Sequence, residues 1–166
     1  MCGIFGIVGE RANRHAGSSG RRAVEHRGPD AEGLWTDGRV VFAHSRLSIL
    51  DLSADANQPF FQNEQQVITY NGEIFNFEEL RRELAEDFQF KTSSDTEVLY
   101  RLLGKWGRQG LKRLNGMFAF GYYDRTQKKI LLVRDRFGIK PLYFLHDHKG
   151  LIFSSEQKAI YPFIEE

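Results

Sequence analysis

Met117-Phe118-Ala119-Phe120-Gly121-Tyr122-Tyr123-Asp124-Arg125-Thr126-Gln127-Lys128-Lys129-Ile130-Leu131-Leu132-Val133 reads as two strands around a polar turn. Aromatic and branched side chains suit a pleated, packed surface, and the turn spans Asp124 to Lys128. Further along, Pro141 to Leu145 and Leu151 to Phe153 form another hairpin around His146 to Gly150. Earlier in the chain, Leu34-Trp35 and Val40 to His44 flank Thr36-Asp37-Gly38, a third hairpin. Val67 to Tyr70 is a strand that delivers the chain to Asn71-Gly72-Glu73, and Ile4 to Val8 is an apolar strand between glycines.

Helical signals lie in separate blocks. Asn76 with Glu79 has the form of a capping box opening a helix over Phe77 to Glu86. Ser94 with Glu97 has the same form, opening Thr96 to Trp106 and closing at Gly107. Val98, Leu99, Leu102 and Leu103 recur there at helical spacing and predict one buried face. A short helix is expected over Arg21 to His26, stopped by Arg27-Gly28-Pro29-Asp30, and Ser154 with Gln157 suggests a last capped turn. Glu10 to Gly20 is small and polar and is expected to be a mobile loop. Hairpin-joined strands with segregated helices predict antiparallel sheets covered by helices, an α+β fold.

The totals bound the class. The chain has 166 residues, enough for one domain with a sizeable core. It is 41% hydrophobic and 27% charged with a net charge of +1, which argues against a dedicated nucleic-acid or anionic-membrane surface. Arg21-Arg22 is too short a basic run to change that. The 14 phenylalanines suit a sheet-rich core. One cysteine cannot form an internal disulfide, so a reducing, cytoplasmic location is expected. No apolar run reaches membrane-spanning length, and Glu10, Arg11 and Arg14 follow too short a stretch for a signal peptide.

That one cysteine stands directly behind the initiator, in Met1-Cys2-Gly3-Ile4-Phe5-Gly6-Ile7-Val8-Gly9. Met1 can be trimmed when the next side chain is small. Cys2 would then carry a thiol and a free α-amine on one carbon. A free α-amine titrates near ~7.7–8.0 and a thiol near ~8.5, so the unprotonated amine can take the thiol proton. Nucleophile and base in one residue is the logic of an N-terminal nucleophile. Taken alone, a lone cysteine is more often an inert small hydrophobe.

The segments Cys2-Gly3-Ile4-Phe5-Gly6, His26-Arg27-Gly28-Pro29-Asp30, His44-Ser45-Arg46-Leu47-Ser48-Ile49-Leu50-Asp51, Tyr70-Asn71-Gly72-Glu73-Ile74-Phe75-Asn76, Ser94-Asp95-Thr96-Glu97 and Asp135-Arg136-Phe137-Gly138-Ile139-Lys140-Pro141-Leu142-Tyr143 occur in this order. Together they resemble the glutaminase domain of glutamine-dependent asparagine synthetases, class II glutamine amidotransferases of the N-terminal nucleophile type. The resemblance covers nearly the whole chain. Any one motif is weak, but the ordered set behind Met-Cys is specific.

The resemblance implies a four-layer sandwich, two antiparallel sheets between helical layers. It implies hydrolysis of the glutamine side-chain amide to glutamate and ammonia. Cys2 would be the nucleophile. Asn71, through its side-chain amide, and Gly72, through its backbone N–H, would form the oxyanion hole. Arg46 would hold the substrate α-carboxylate, and Glu73 and Asp95 the α-ammonium. Leu47, Ser48, Ile49 and Leu50 would add backbone contacts. Out of this context Asn71-Gly72 reads more readily as a hairpin turn and Arg46 as a solvated surface residue, while Asp95 has a competing role as a helix cap beside Ser94. The motifs at His26–Asp30 and Asp135–Gly138 are expected to be structural, with charge pairs near the site.

The family's synthetase domain carries a Ser-Gly-Gly-x-Asp-Ser pyrophosphate loop that residues 1–166 lack. These residues are therefore expected to be a single glutaminase domain, working with a synthetase domain in cis or in trans, with a homodimer left open. No cofactor is expected in this domain, since ATP and Mg²⁺ belong to the synthetase half. No metal site is expected either. His146-x-His148 has the period of one strand face, but Lys149-Gly150 beside it suggests a plain turn. Two other functions compete. One is a non-catalytic glutaminase-like module, if Met1 is retained. The other is an acylase-type N-terminal nucleophile hydrolase, against which the opposite charges of Arg46, Glu73 and Asp95 speak, because they suit a zwitterionic substrate.

Overall fold

A computed structural model describes residues 1–164. Strand β1 (Gly3–Gly9) lies at the centre of a five-stranded antiparallel sheet. Its neighbours are β3 (Val40–Arg46) and β9 (Gly150–Ser154), with β2 (Ala31–Thr36) and β8 (Tyr143–Asp147) at the edges. The second sheet runs β4 (Phe60–Asn63), β5 (Gln66–Ile74), β6 (Gly116–Asp124), β7 (Lys129–Arg134). Helix α1 (Arg14–Ala23) covers the first sheet, and α2 (Phe77–Leu84) and α3 (Asp95–Trp106) cover the second.

Alternation along the strands builds three apolar layers from one pattern. In β1, Phe5 and Ile7 face α1, while Ile4 and Val8 face the other sheet. In β5, Ile68, Tyr70 and Ile74 pack toward α2 and α3, while Val67 faces the first sheet. The order is helix, sheet, sheet, helix: the four-layer α+β architecture that the resemblance implies. The hairpins Met117–Val133 and Leu34–His44 form as read, as β6–β7 and β2–β3.

Five local expectations are corrected. Glu10–Gly20 is not simply a loop, because α1 occupies its second half. Asn13 caps α1 by accepting from the Ala16 amide at 2.9 Å. The glycines that lower helix propensity are where α1 meets the sheet: a Cβ on Gly17 would lie 2.3 Å from Val41, and one on Gly20 2.3 Å from Phe5. The helix expected to reach His26 ends at Ala23, followed by a 3-10 turn at Glu25–Arg27.

Asn76 does not cap α2. Its side chain instead donates to the Arg113 carbonyl and accepts from the Asn115 amide, tying α2 to the start of β6. Ser94 does cap α3 through the Glu97 amide, at 3.3 Å. The reciprocal half of that box is missing, since the Glu97 carboxylate turns to the amides of Lys91 and Thr92. Ser154 does not cap the 3-10 turn at Gln157–Ala159; its hydroxyl donates to the Ile4 carbonyl.

Strand β5 continues through Asn71-Gly72-Glu73 to Ile74, so that segment is strand and not turn. Short β4 carries no alternating signal and was not expected. Within 1–164 no helix is long and apolar enough to cross a membrane. His146 and His148 do not share a strand face, because β8 ends at Asp147.

Candidate active site

The site is a pocket where β1, β3 and β5 approach the N-terminus of α3. It is lined by Met1, Cys2, Arg46, Leu47, Ile49, Leu50, Asn71, Gly72, Glu73 and Asp95, among others. Of the residues expected from sequence, only Ser48 lies outside this lining. Its amide donates to the Asp30 carboxylate at 2.7 Å, which braces the loop after β3 from behind.

Cys2 sits at the mouth of β1, half-buried. Its sulfur accepts from the Leu47 amide at 3.4 Å and reaches the Leu47 carbonyl at 3.6 Å. Burial pushes the thiol pKa up, against the pull of the Leu47 amide. The Cys2 carbonyl accepts from Arg27 Nε at 3.0 Å, and Arg27 Nη1 pairs with Glu156 at 2.9 Å. The His26–Asp30 motif therefore holds the backbone of the cysteine itself. Among the described residues the Asp135 motif forms no such ion pair: the Asp135 carboxylate accepts the amides of Phe118, Phe137, Ile139 and Lys140.

Asn71 alternates with Tyr70 on β5, so its side chain faces the first sheet. It is 1% exposed, and its Nδ2 has no hydrogen-bond partner among the described residues. A buried amide donor without a partner costs about 1–3 kcal/mol, which a matching acceptor would recover.

The Gly72 N–H is directed into the same space by strand geometry. Tyr70 donates its amide to Gln58 Oε1 at 2.7 Å and Ile74 donates its amide to Asp95 Oδ2 at 3.0 Å, both off the β4 side of β5. Gly72 lies between them at the same two-residue phase. Its partner in register, Phe118, sends both its N–H and its carbonyl to Asp135, on the far side of β6. The absence of a side chain at Gly72 has a reason unrelated to the pocket. A Cβ there would lie 2.4 Å from the Met117 carbonyl oxygen and 2.7 Å from the Phe118 Cα.

Arg46 ends β3 and is 7% exposed, not the solvated arginine of the bland reading. Its Nη1 donates to the Ser53 carbonyl at 2.8 Å and to Asn57 Oδ1 at 2.7 Å, and its Nη2 donates to the Asp51 carbonyl. These contacts fix the plane of the guanidinium and wrap residues 51–57 around it. Asp51 carries the brace across to α3, accepting from the Ser93 amide at 2.7 Å and its hydroxyl at 3.0 Å.

Asp95 opens α3 and is 5% exposed. Ser94 performs the capping, so Asp95 is left to face the pocket. Burial raises its pKa, against hydrogen bonds from Tyr70, Ile74 and Thr96. Glu73 follows Gly72 on β5 and lines the same space. Opposite charges in one pocket, Arg46 with Glu73 and Asp95, suit a small zwitterion.

Several lining residues had no sequence signal. Gln58 bridges the Tyr70 amide and the Thr96 hydroxyl, a role that exists only once β5 and α3 are packed together. Tyr70 and Lys140, from the Tyr70–Asn76 and Asp135–Tyr143 motifs, line the pocket as well.

A family model described as a glutamine amidotransferase domain matches residues 1–165. The chain is 39% identical to glutamine-hydrolyzing asparagine synthetase B of Escherichia coli strain K12, over 98% of this chain and 30% of that protein. It is 40% identical to glutamine-hydrolyzing asparagine synthetase 2 of Bacillus subtilis strain 168, over 97% of this chain and 22% of that protein. It thus spans less than a third of either relative. The solved glutamine phosphoribosylpyrophosphate amidotransferase of B. subtilis shares the fold, with a TM-score of 0.83 at 24% identity over 96% of this chain and 43% of that one. A second solved structure, the allosteric regulatory enzyme of purine biosynthesis, superimposes with a TM-score of 0.82. Matched from end to end by the family model, this chain belongs to the glutamine amidotransferase domain family.

Proposed function

We propose that this domain hydrolyses glutamine to glutamate and ammonia, with Cys2 as nucleophile once Met1 is removed. The Cys2 α-amine takes the thiol proton, and Sγ forms a bond to the substrate δ-carbon. The carbonyl π electrons move onto oxygen, facing the Asn71 amide and the Gly72 N–H. Collapse breaks the C–N bond, and the protonated α-amine returns its proton to the leaving nitrogen as ammonia departs. Water then attacks the thioester, glutamate leaves, and the thiol is restored. Arg46 holds the α-carboxylate in its planar fork, and Glu73 and Asp95 hold the α-ammonium. Leu47, Ile49 and Leu50 wall the pocket, with Ser48 bracing their loop.

The observation that carries this reading is the unpartnered, buried Asn71 amide in the same pocket as the chain's one thiol. It is a donor without an acceptor where an oxyanion would form. The likeness to asparagine synthetases suggests that the ammonia serves an ATP- and Mg²⁺-dependent amidation of aspartate. A synthetase domain, in cis or in trans, would perform that step, and a cytoplasmic setting fits it.

A chain that keeps Met1 has no free α-amine at Cys2 and would act instead as a glutaminase-like binding module. Intact mass and labelling decide between them. The active protein should lack Met1, a diazo-ketone analogue of norleucine should label Cys2, and Cys2→Ala should release no glutamate. Near-normal turnover by Cys2→Ala, or by protein whose mass retains Met1, would overturn the catalytic reading.

A further inference from the structure

Lys140 is 5% exposed, yet the partner of its ammonium is the Met1 thioether, at 2.9 Å. A thioether is a weak acceptor, and a buried cation ordinarily demands a carboxylate or several oxygens. The lysine is rigidly placed. Its amide is held by Asp135 Oδ2 at 3.0 Å, and its carbonyl accepts from Arg134 Nε at 2.8 Å. Its side chain lines the same pocket as Cys2. Met1 must be removed before the proposed reaction, and the ammonium then lines the pocket with Cys2 without that partner.

We propose that Lys140 is a positioning residue for the base, its fixed positive charge opposing protonation of the Cys2 α-amine; this rests on that amine being the base. Like charges disfavour each other, so a nearby buried ammonium favours the neutral, proton-accepting amine. The other charged groups lining this pocket are Arg46 from β3, which acts in the same sense, and Asp51 from the loop after β3, Glu73 from β5 and Asp95 from α3, which act against it. Arg27 touches the Cys2 carbonyl, with its charge shared by Glu156. Lys140 adds to Arg46 in favouring the free base.

The test is the pH profile of kcat/KM for glutamine hydrolysis, on protein whose mass lacks Met1. Lys140→Met should move the acid limb up by about half to one pH unit, while Lys140→Arg should keep the wild-type limb. A lower plateau with an unmoved limb in Lys140→Met would mean a merely structural lysine and would overturn the proposal. If Lys140→Met fails to fold, the wild-type α-amine can be titrated by NMR on protein labelled with ¹⁵N at Cys2. A value below the ordinary ~7.7–8.0 supports the proposal, and one at or above that range overturns it. A wild type without Met1 that shows no acid limb would remove the amine as base, and this inference with it.

Discussion

Tyr70 and Asp95 share a 2.6 Å hydrogen bond, phenol to carboxylate Oδ2, where β5 meets the first turn of α3. The same oxygen accepts the Ile74 amide. One carboxylate thus fastens the strand that carries Asn71 and Gly72 to the helix that faces them, while remaining buried in the pocket.

Asp95 should trade stability for binding. Burial raises its folded pKa above that of the unfolded chain, so ionisation costs stability above the ordinary Asp range, and that cost disappears as pH falls. Asp95→Asn keeps an acceptor for Tyr70 and Ile74 and drops the buried charge. It should melt at or above the wild-type Tm near neutral pH and raise KM for glutamine by at least about tenfold, a loss of roughly 1.4 kcal/mol. Tyr70→Phe removes a donor that favours the ionised form, so its KM should begin to climb at a higher pH than in wild type as acid is added. Unchanged KM in Asp95→Asn would refute the ammonium role.

Asn71 should matter to rate and not to folding. Its Nδ2 has no partner to lose, so Asn71→Ala should unfold within about 1 kcal/mol of wild type. Its kcat should fall by about 10²–10³, with KM little changed. A defect confined to KM would exclude the oxyanion assignment.

Arg46→Lys should behave as a severe substitution. The ammonium cannot reach the Ser53 and Asp51 carbonyls and Asn57 while presenting a flat fork to a carboxylate. Loss of about 2–3 kcal/mol in urea unfolding is expected, from buried acceptors left without a charged donor. KM should rise more than kcat falls. Wild-type KM would show that the α-carboxylate binds elsewhere.

His44 sets an acid limit on stability. It is fully buried between the sheets, with Nε2 at 3.1 Å from the Tyr70 carbonyl, and burial lowers its pKa from 6.5 to about 4. The unfolded chain binds a proton below its ordinary pKa while the folded one does not, so stability falls as pH drops from about 6.5 toward 4. The full span is worth roughly 3 kcal/mol at about 1.4 kcal/mol per unit. Urea unfolding at pH 7 and pH 4.5 should show most of this loss, and His44→Gln should flatten it. An unaltered pH slope in that variant would assign the acid sensitivity elsewhere.

Much of the molecule was legible in the chain because it rests on local periodicity and on motif order. Runs of aromatic and branched side chains in Met117–Val133 and Leu34–His44 dictate strands, and the spacing of Val98, Leu99, Leu102 and Leu103 dictates a helix with one buried face. The ordered motifs placed Cys2, Arg46, Asn71, Gly72, Glu73 and Asp95 as a set, and the fold brings that set into one pocket. Propensity misled where packing outweighed it. Gly17 and Gly20 argue against a helix in isolation, yet they permit α1 to lie against Val41 and Phe5. Asn76 has the chemistry of a cap, but the carbonyl of Arg113 and the amide of Asn115 compete for it only after the chain has folded back.

By itself, then, the sequence determined the strand and helix periods, the two-sheet architecture and the place of the chain's one thiol, because these depend on side chains near one another in the chain or on motif order. Tertiary structure alone decided which groups stand unpartnered and which are held. Among the described residues Asn71 Nδ2 finds no acceptor, and folding brings the Lys140 ammonium to the thioether of Met1, 139 positions away. Hydrogen-bond satisfaction and burial are properties of three-dimensional surroundings, and no local pattern encodes them.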